Sequence, residues 1–586
     1  MINSADEKRI GVVMIKVFGK LACGFSLLAC MAVLAACTEQ DAADVGDDNG
    51  PGESDVTLVS NARIHTFDAG NTLIEQGAIA FDTSGEILAI GDIGPMAELF
   101  PGAHRIDMAG KNLLPGLIDS HGHLYGLALS FTQANLAGTS SKNEVIERLR
   151  EFASSLPEGD WLLGRGWDQN DWPEQAFPNR ADLDAVFPDR PVWLRRIDGH
   201  ASWANSLAIA QADRDLAGDW QMEGGFIHRD GEGEPTGIFV DGAMGFIEKA
   251  VPLTSPALID SALDMATHTL VSLGLTGVHD PGVDRSVIEL YQKKIAQDLF
   301  PVRVYAMADG VGDTTNWLCE QGPLSDPSGR LEMRAVKLYA DGALGSRGAA
   351  LLAEYSDDPG NKGLMFVSAD EMGSALRRVF SCGLQAGVHA IGDAANRQVL
   401  DAYESLLAEF PDNPGRHRIE HAQILHPDDV PRFGAMNVIA AMQPTHATSD
   451  MYWAEERLGA DRLAGAYAWR SLLDSGARLA FGSDFPVEQV NPMLGIHAAV
   501  TRQDLDGWPA GGWQAGERIS REEAIRAFTL EAAYAGFMEG RTGSLEIGKR
   551  ADFIVLDRDI MQIPAAEIPE VQVLETWVDG ERVFVR

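Results

Sequence analysis

Eight short apolar runs recur through this chain, and they constrain its fold more than any other feature: LIDSHGH, LTGVHD, VRVYAMADG, RAVKLYADG, LQAGVHAIGD, RHRIEHAQ, NVIAAMQPTH and RLAFGSDFP. Each has the length and the Val, Ile and aromatic content of a buried strand. Helix signals lie between them. Ser368 with Glu371 and Ser520 with Glu523 match capping boxes, as does Ser141 with Glu144 further upstream. After Ser368, residues Met372, Ala375, Leu376, Val379 and Phe380 fall on one helical stripe, which is the pattern of packing against a core. Strands that alternate with helices imply a parallel α/β sheet, and eight such units close into a (β/α)8 TIM-like barrel. The site of such a barrel lies at the C-terminal strand ends. Polar residues sit there: His121 and His123 end the first run, Lys337 lies in the fourth, His389 in the fifth, His421 in the sixth, and Asp484 ends the eighth.

The first run belongs to the stretch LLPGLIDSHGHL, residues 113–124. Alternation along an extended segment points His121 and His123 the same way, giving half of a divalent-metal site. In a chain with 14 histidines such a pair also arises by accident, so the later strand ends carry the weight. Outside the barrel runs, residues 56–113 read as short strands with a turn at Thr83-Ser84-Gly85, and residues 541–586 repeat the pattern with a turn at Asp579-Gly580. Neither segment is long enough to close a core, so the two are expected to form one small composite β-sandwich around a barrel at 114–540. The stretch between the first two runs is too long for a connection and is expected to form an inserted lid or subdomain at about 140–260.

A chain of 586 residues with formal charge −39 presents no basic surface for a phosphate backbone, which excludes nucleic acid as a partner. Of its five cysteines, Cys23, Cys30 and Cys37 lie near the N-terminus; Cys319 and Cys382 imply no disulfide framework and leave a single bond between them open. Lys16 and Lys20 precede an apolar stretch at 21–36, which reads as a secretory signal, with a core helix or an uncleaved anchor as the alternatives; Met14 offers a second start with a more compact charged region. The stretch ends Leu34-Ala35-Ala36-Cys37 and resembles the lipobox of bacterial lipoproteins. That resemblance implies removal of residues 1–36, lipidation of Cys37 and a periplasmic, membrane-anchored protein, and Thr38 implies passage to the outer membrane. Residues 37–55, acidic and rich in Gly and Asp, then read as a flexible tether.

Taken together, HGH in the first run, His389 in GVHAIGD, His421 in HRIEHAQ and Asp484 in GSDFPV resemble the amidohydrolase superfamily, and GWDQNDW, RRIDGHASWANS, KLYADGALGSR and NPMLGIHAAVTR are similar to its family 3 branch. The resemblance spans roughly residues 56–586. It implies a metal-dependent hydrolase of carbon–nitrogen bonds other than peptide bonds, with one or two zinc ions. Zinc supplies an acidified water and a polarised carbonyl. His121, His123, His389 and His421 are the expected imidazole ligands. Asp484 is expected to touch the metal and to move the proton from water to the leaving nitrogen. In several relatives a lysine at the place of Lys337 is carboxylated and bridges two metals; the alternative is a one-metal site with Lys337 structural or substrate-binding. Trp167, Asp168, His200, Arg347, Gln443 and His446 are candidates for contact with a small-molecule substrate, each with a structural role as the alternative. The same chemistry would serve an ester or lactone, and an idle envelope binding protein is the reading without catalysis.

The lipobox reading is tested by Cys37→Ala, which is expected to move the protein from the membrane to the soluble fraction and to abolish labelling with radioactive palmitate; continued labelling would remove Cys37 from the assignment.

Overall fold

A computed structural model describes residues 55–586, Ser155 and Leu253 excepted. The leader, Cys37 and all of the tether but Asp55 lie outside the described residues.

All eight runs are strands. In order they are Leu117–Asp119, Leu275–Val283, Arg303–Asp309, Leu331–Tyr339, Gln385–Ala390, Arg418–His421, Ile439–Met442 and Leu479–Phe481. Every neighbouring pair is parallel, from the first strand through to the eighth. The ring closes between the eighth and first strands: the Ser120 amide donates to the Phe481 carbonyl at 2.9 Å. The Asp119 carboxylate reinforces that seam by accepting from the Ser483 amide at 3.0 Å and its hydroxyl at 2.7 Å. Gly482 is required here, because a Cβ would lie 2.4 Å from Asp119 Oδ1 and 2.5 Å from the His121 amide nitrogen. Helices cover the outside. In Ala369–Ser381 the residues Met372, Leu376, Val379 and Phe380 are buried and Ser368 caps the helix with Glu371, as the sequence implies. Cys319 and Cys382, on or at the ends of neighbouring helices, form a disulfide.

The terminal segments do combine. Strands Val56–His65, Leu73–Asp82, Ile87–Asp92, His104–Asp107 and Asn112–Pro115 join Phe553–Leu556, Val573–Val578 and Glu581–Val585 in one eight-stranded sheet. Asn112–Pro115 is the joint: it runs parallel to the first strand of the chain and antiparallel to Phe553–Leu556, then leads straight into the barrel. Val59, Ile64, Phe81, Leu113, Phe553 and Trp577 share one apolar core drawn from both ends of the chain. Arg303, at the start of the third barrel strand, ties this sheet to the barrel. Its Nε and Nη2 donate to the two oxygens of Asp552 at 2.6 and 2.9 Å, and Nη2 reaches Asp579 at 2.6 Å.

Between the first two barrel strands lies a separate six-stranded sheet, and it begins earlier than the sequence suggests, at Ala134–Asn135. Leu162–Trp167, Val192–Arg196, Ala201–Ala204, Gly225–Arg229 and Pro235–Asp241 complete it. Trp167, Trp172 and Trp203 fill its core.

Arg303 and Asp552 are both almost fully buried, so removing one leaves an uncompensated charge. Arg303→Met is expected to cost about 3 kcal/mol of stability, read as a lowered Tm in calorimetry, while the disulfide variant Cys319→Ser leaves the Arg303 contribution intact in a double-mutant comparison.

Candidate metal centre

The first barrel strand stops at Asp119, so His121 and His123 stand on the bend after it rather than within it. Their rings are nearly perpendicular, with centroids 5.4 Å apart, yet both edges face Asp484: His123 Nε2 lies 3.1 Å from Oδ1 and His121 Nε2 3.6 Å. Gly122 permits the bend, since a Cβ there would lie 2.4 Å from the Phe485 ring.

Each of these rings is held by its other nitrogen. His121 Nδ1 donates to Glu420 Oε2 at 2.5 Å, His123 Nδ1 to the Pro281 carbonyl at 3.1 Å and His421 Nδ1 to Gln443 Oε1 at 2.8 Å. In a neutral ring with Nδ1 carrying the proton, Nε2 is a lone pair. His389 is held by a hydrogen bond to the Gly342 backbone, and its buried Nε2, without a hydrogen bond among the described residues, lies 3.7 Å from Asp341 Oδ1. Burial pushes the imidazoles of His121, His389 and His421 well below their ordinary range, so they are neutral and able to ligate. The rings cluster: His121 lies 4.7 Å from His421 and His421 4.6 Å from His389, centroid to centroid.

Lys337 and Asp484 complete the group. Lys337 Nζ is 3.4 Å from His121 Nε2, and burial brings its ammonium down to about 8, against the opposing pull of Glu420 and Asp484. Burial alone would raise Asp484, but the hydrogen bond from His123 and the nearby imidazoles hold its carboxyl well below the usual range. Its Oδ1 faces His123 Nε2 at 3.1 Å and His121 Nε2 at 3.6 Å. A divalent ion fits this set, and donor atoms of His121, His421 and Asp484 all lie within 4.8 Å of one another. The backbone is strained at the same place: His421 has φ +74° and Asp484 φ +61°.

Sequence reading missed the support behind the ligands. Glu420, fully buried, orients His121 and is itself gripped by Arg418, whose Nη2 donates to Oε2 at 2.8 Å. Arg418 also donates to His279 Nδ1 at 2.8 Å and the Ser120 carbonyl at 2.7 Å. The signal was present in HRIEHAQ: two opposite charges two residues apart on a buried strand need partners on the same face.

The ligand group forms the floor of a cavity of about 1220 Å³ between the barrel mouth and the inserted sheet. Of the proposed substrate contacts, Asp168, His200 and His446 line it. His446 accepts from Gln423 at Nδ1, at 2.9 Å, which puts its proton on Nε2, 3.9 Å from Asp484. His200 donates from Nδ1 to Asp241 at 2.7 Å. Three candidates do not reach the cavity wall. Trp167 is fully buried among Trp172 and Trp203, donating to the Leu194 carbonyl, because it faces the insertion's own core. Arg347 pairs with Asp357 at 2.9 Å. Gln443 positions His421.

A buried imidazole, carboxylate and lysine cluster at the C-terminal face of a barrel defines a hydrolytic metal centre as the class. The Amidohydrolase family profile matches residues 105–584, and the chain belongs to that family. It is 35% identical over 525 residues to YtcJ of Bacillus subtilis, covering 88% of this chain and 97% of that protein. It is 28% identical over 554 residues to the N-substituted formamide deformylase of Arthrobacter pascens, covering 89% and 97%. Among solved structures, an uncharacterised metal-dependent hydrolase from Pyrococcus furiosus superposes with TM-score 0.68 at 30% identity, covering 86% of this chain and all of that one.

Glu420→Gln keeps the shape of the residue beside His121 but removes its charge. Metal affinity is expected to fall roughly 10- to 100-fold, measured by competition with a chromophoric chelator; unchanged affinity would reduce Glu420 to a packing residue.

Proposed function

We propose that this protein hydrolyses the carbon–nitrogen bond of a small amide, cyclic amide or N-substituted formamide with the help of divalent metal, zinc in the first instance. The observation that carries the reading is the gathering of His121, His123, His389 and His421 with Asp484 at the floor of an open cavity, where donor atoms of His121, His421 and Asp484 lie within 4.8 Å of one another. When bound there, the ion acidifies water and polarises the scissile carbonyl. Asp484 is ionised at neutral pH and faces the same space, so it takes the proton of the attacking water and returns it to the departing nitrogen. His446 presents its N–H beside Asp484 and is suited to hold the substrate carbonyl. Lys337, buried with no carboxylate among the described residues bonded to it, has the neutral amine within reach and is suited to carboxylation as a ligand for a second ion. The resemblance to a formamide deformylase supports the choice of bond. Export and anchoring at Cys37 belong to the same proposal, supported by the Cys319–Cys382 disulfide, a bond that persists in oxidising compartments.

Purified protein starting at residue 38 is expected to hold about one or two zinc ions per chain, with two ions falling on Lys337→Ala if the lysine bridges them. Chelation is expected to abolish hydrolysis of N-substituted formamides and added zinc to restore it, while Asp484→Asn lowers kcat by about 100- to 10,000-fold in a folded protein. Full activity after chelation would falsify the metal mechanism. Turnover of esters and lactones without any amide would move the reaction to that class.

A further inference from the structure

The inserted sheet contributes more than cover. Leu162–Trp167 and Val192–Arg196 run parallel, and their register sets Arg165 beside Arg195. Both side chains line the cavity above the ligand group. Two guanidiniums side by side on one sheet repel, and nothing in strand packing rewards the pairing. Several other cavity-facing charges nearby have partners. Arg196, next in sequence, is taken up by Asp168 and by Asp198 at 2.6 Å. Asp280 accepts from the Tyr291 hydroxyl at 2.5 Å and Asp504 from the Tyr452 hydroxyl at 2.5 Å. Arg195 has a half-exposed ion pair with Glu248 at 3.1 Å. Arg165 is different: its Nη1 donates to the Pro486 carbonyl and its Nη2 to the Ile197 carbonyl at 3.1 Å, and no carboxylate among the described residues forms an ion pair with it.

A guanidinium held in a largely desolvated place by two neutral carbonyls keeps its full charge and its fixed fork of donors. Pro486 lies two residues beyond Asp484, so the fork stands at the edge of the metal centre rather than at the outer rim. Asp484 and Asp198 contribute field at Arg165 from a distance, and a bound metal ion would consume that of Asp484. With no carboxylate among the described residues paired to it, the Arg165 fork is complementary to a planar anion, in a cavity whose other lining includes Asp171, Asp309 and Glu488. We propose that Arg165, assisted by Arg195, is the specificity determinant of the site and recognises a carboxylate on the substrate, so that the preferred substrate is an anionic amide with its charge on the side facing the inserted sheet. This rests on the hydrolytic reading above, and it assigns to that site a substrate charge which the ligand cluster alone does not fix.

The test uses a matched pair of probes, N-formyl-6-aminohexanoate and the neutral N-hexylformamide. The wild-type protein is expected to favour the anionic probe by about 10- to 100-fold in kcat/KM. Arg165→Gln should collapse that ratio, mainly through KM of the anionic probe, and Arg165→Lys should recover part of it because the charge remains while the fork is lost. A wild-type preference for the neutral probe, or a ratio unmoved in Arg165→Gln, overturns the proposal. Equal losses on both probes in Arg165→Gln, without recovery in Arg165→Lys, would make Arg165 a strap between the inserted sheet and the barrel and overturn it too. Should neither probe be hydrolysed, calorimetric binding of 6-aminohexanoate, hexanoate and hexylamine to the zinc-loaded protein separates the two readings. Hexanoate binding that is lost in Arg165→Gln supports the anion site although the hydrolytic reading has failed. Absence of hexanoate binding to the wild-type protein rejects the anion site itself.

Discussion

Everything at this site depends on where the imidazole protons are. A buried histidine with no fixed partner can carry its proton on either nitrogen, or on both, and only the lone-pair form ligates. Here three rings have Nδ1 committed to an acceptor: Glu420 for His121, the Pro281 carbonyl for His123 and Gln443 for His421. The commitment leaves the Nε2 atoms of His121 and His123 facing Asp484. Glu420 could not play that part alone, since an isolated buried carboxylate would rather be neutral. Arg418 pairs with it, and Arg418 is in turn fastened to the Ser120 carbonyl, one residue before His121. The chain of contacts therefore returns to the segment it orients, which fixes ring and backbone together.

The barrel makes this arrangement affordable in structural terms because the candidate ligands come from the ends of barrel strands, His121 and His123 from the first alone, and none depends on a long loop. The first and eighth strands bring His121 and Asp484 close only because Asp119 bonds Ser483 across the seam and Gly482 leaves room for it. The Asp484 amide then donates to the His121 carbonyl at 2.7 Å, so the two ligands are also backbone neighbours. Positive φ at His421 and Asp484 costs of order 1–3 kcal/mol at each position. Such strain persists where the surroundings over-determine it, and here two strand ends and a shell of hydrogen bonds do so.

The eight barrel strands were legible because each is an apolar run bounded by turn residues, and the candidate ligands could be named because they stand where a barrel's chemistry must stand. The union of the two chain ends was legible for a related reason: neither could bury its own apolar face, and Leu113 and Phe553 now share one core. Other features depend on tertiary neighbours that a periodicity cannot name. Trp167 sits in a polar motif, GWDQNDW, yet its indole turns into the insertion, whereas the adjacent Asp168 faces the cavity. Arg347 found Asp357, ten residues on, through a loop fold that spacing does not encode. The insertion starts at Ala134 because a two-residue strand suffices to pair with Leu162–Trp167, and two residues carry no pattern. Glu420 and Arg418 read as strand residues because their function is to hold other residues.

A division of labour follows from how firmly each part is held. The candidate metal ligands lie on barrel strands and the bends after them, with rotamers fixed by bonds from the same barrel, so on the proposed mechanism a change there alters whether the chemistry occurs at all. The inserted sheet has its own core and meets the cavity through side chains such as Arg165 and His200, whose partners are backbone carbonyls or residues of the insertion itself. Changes on that wall alter what is accepted while leaving the Glu420–His121 and Gln443–His421 contacts untouched. The overall charge of −39 says little about this surface, since a potential inside a low-dielectric cavity is set by the few groups that face it. Chemistry and selectivity thus reside on separately folded layers, and the selectivity layer can vary without disturbing the tautomers on which the chemistry depends.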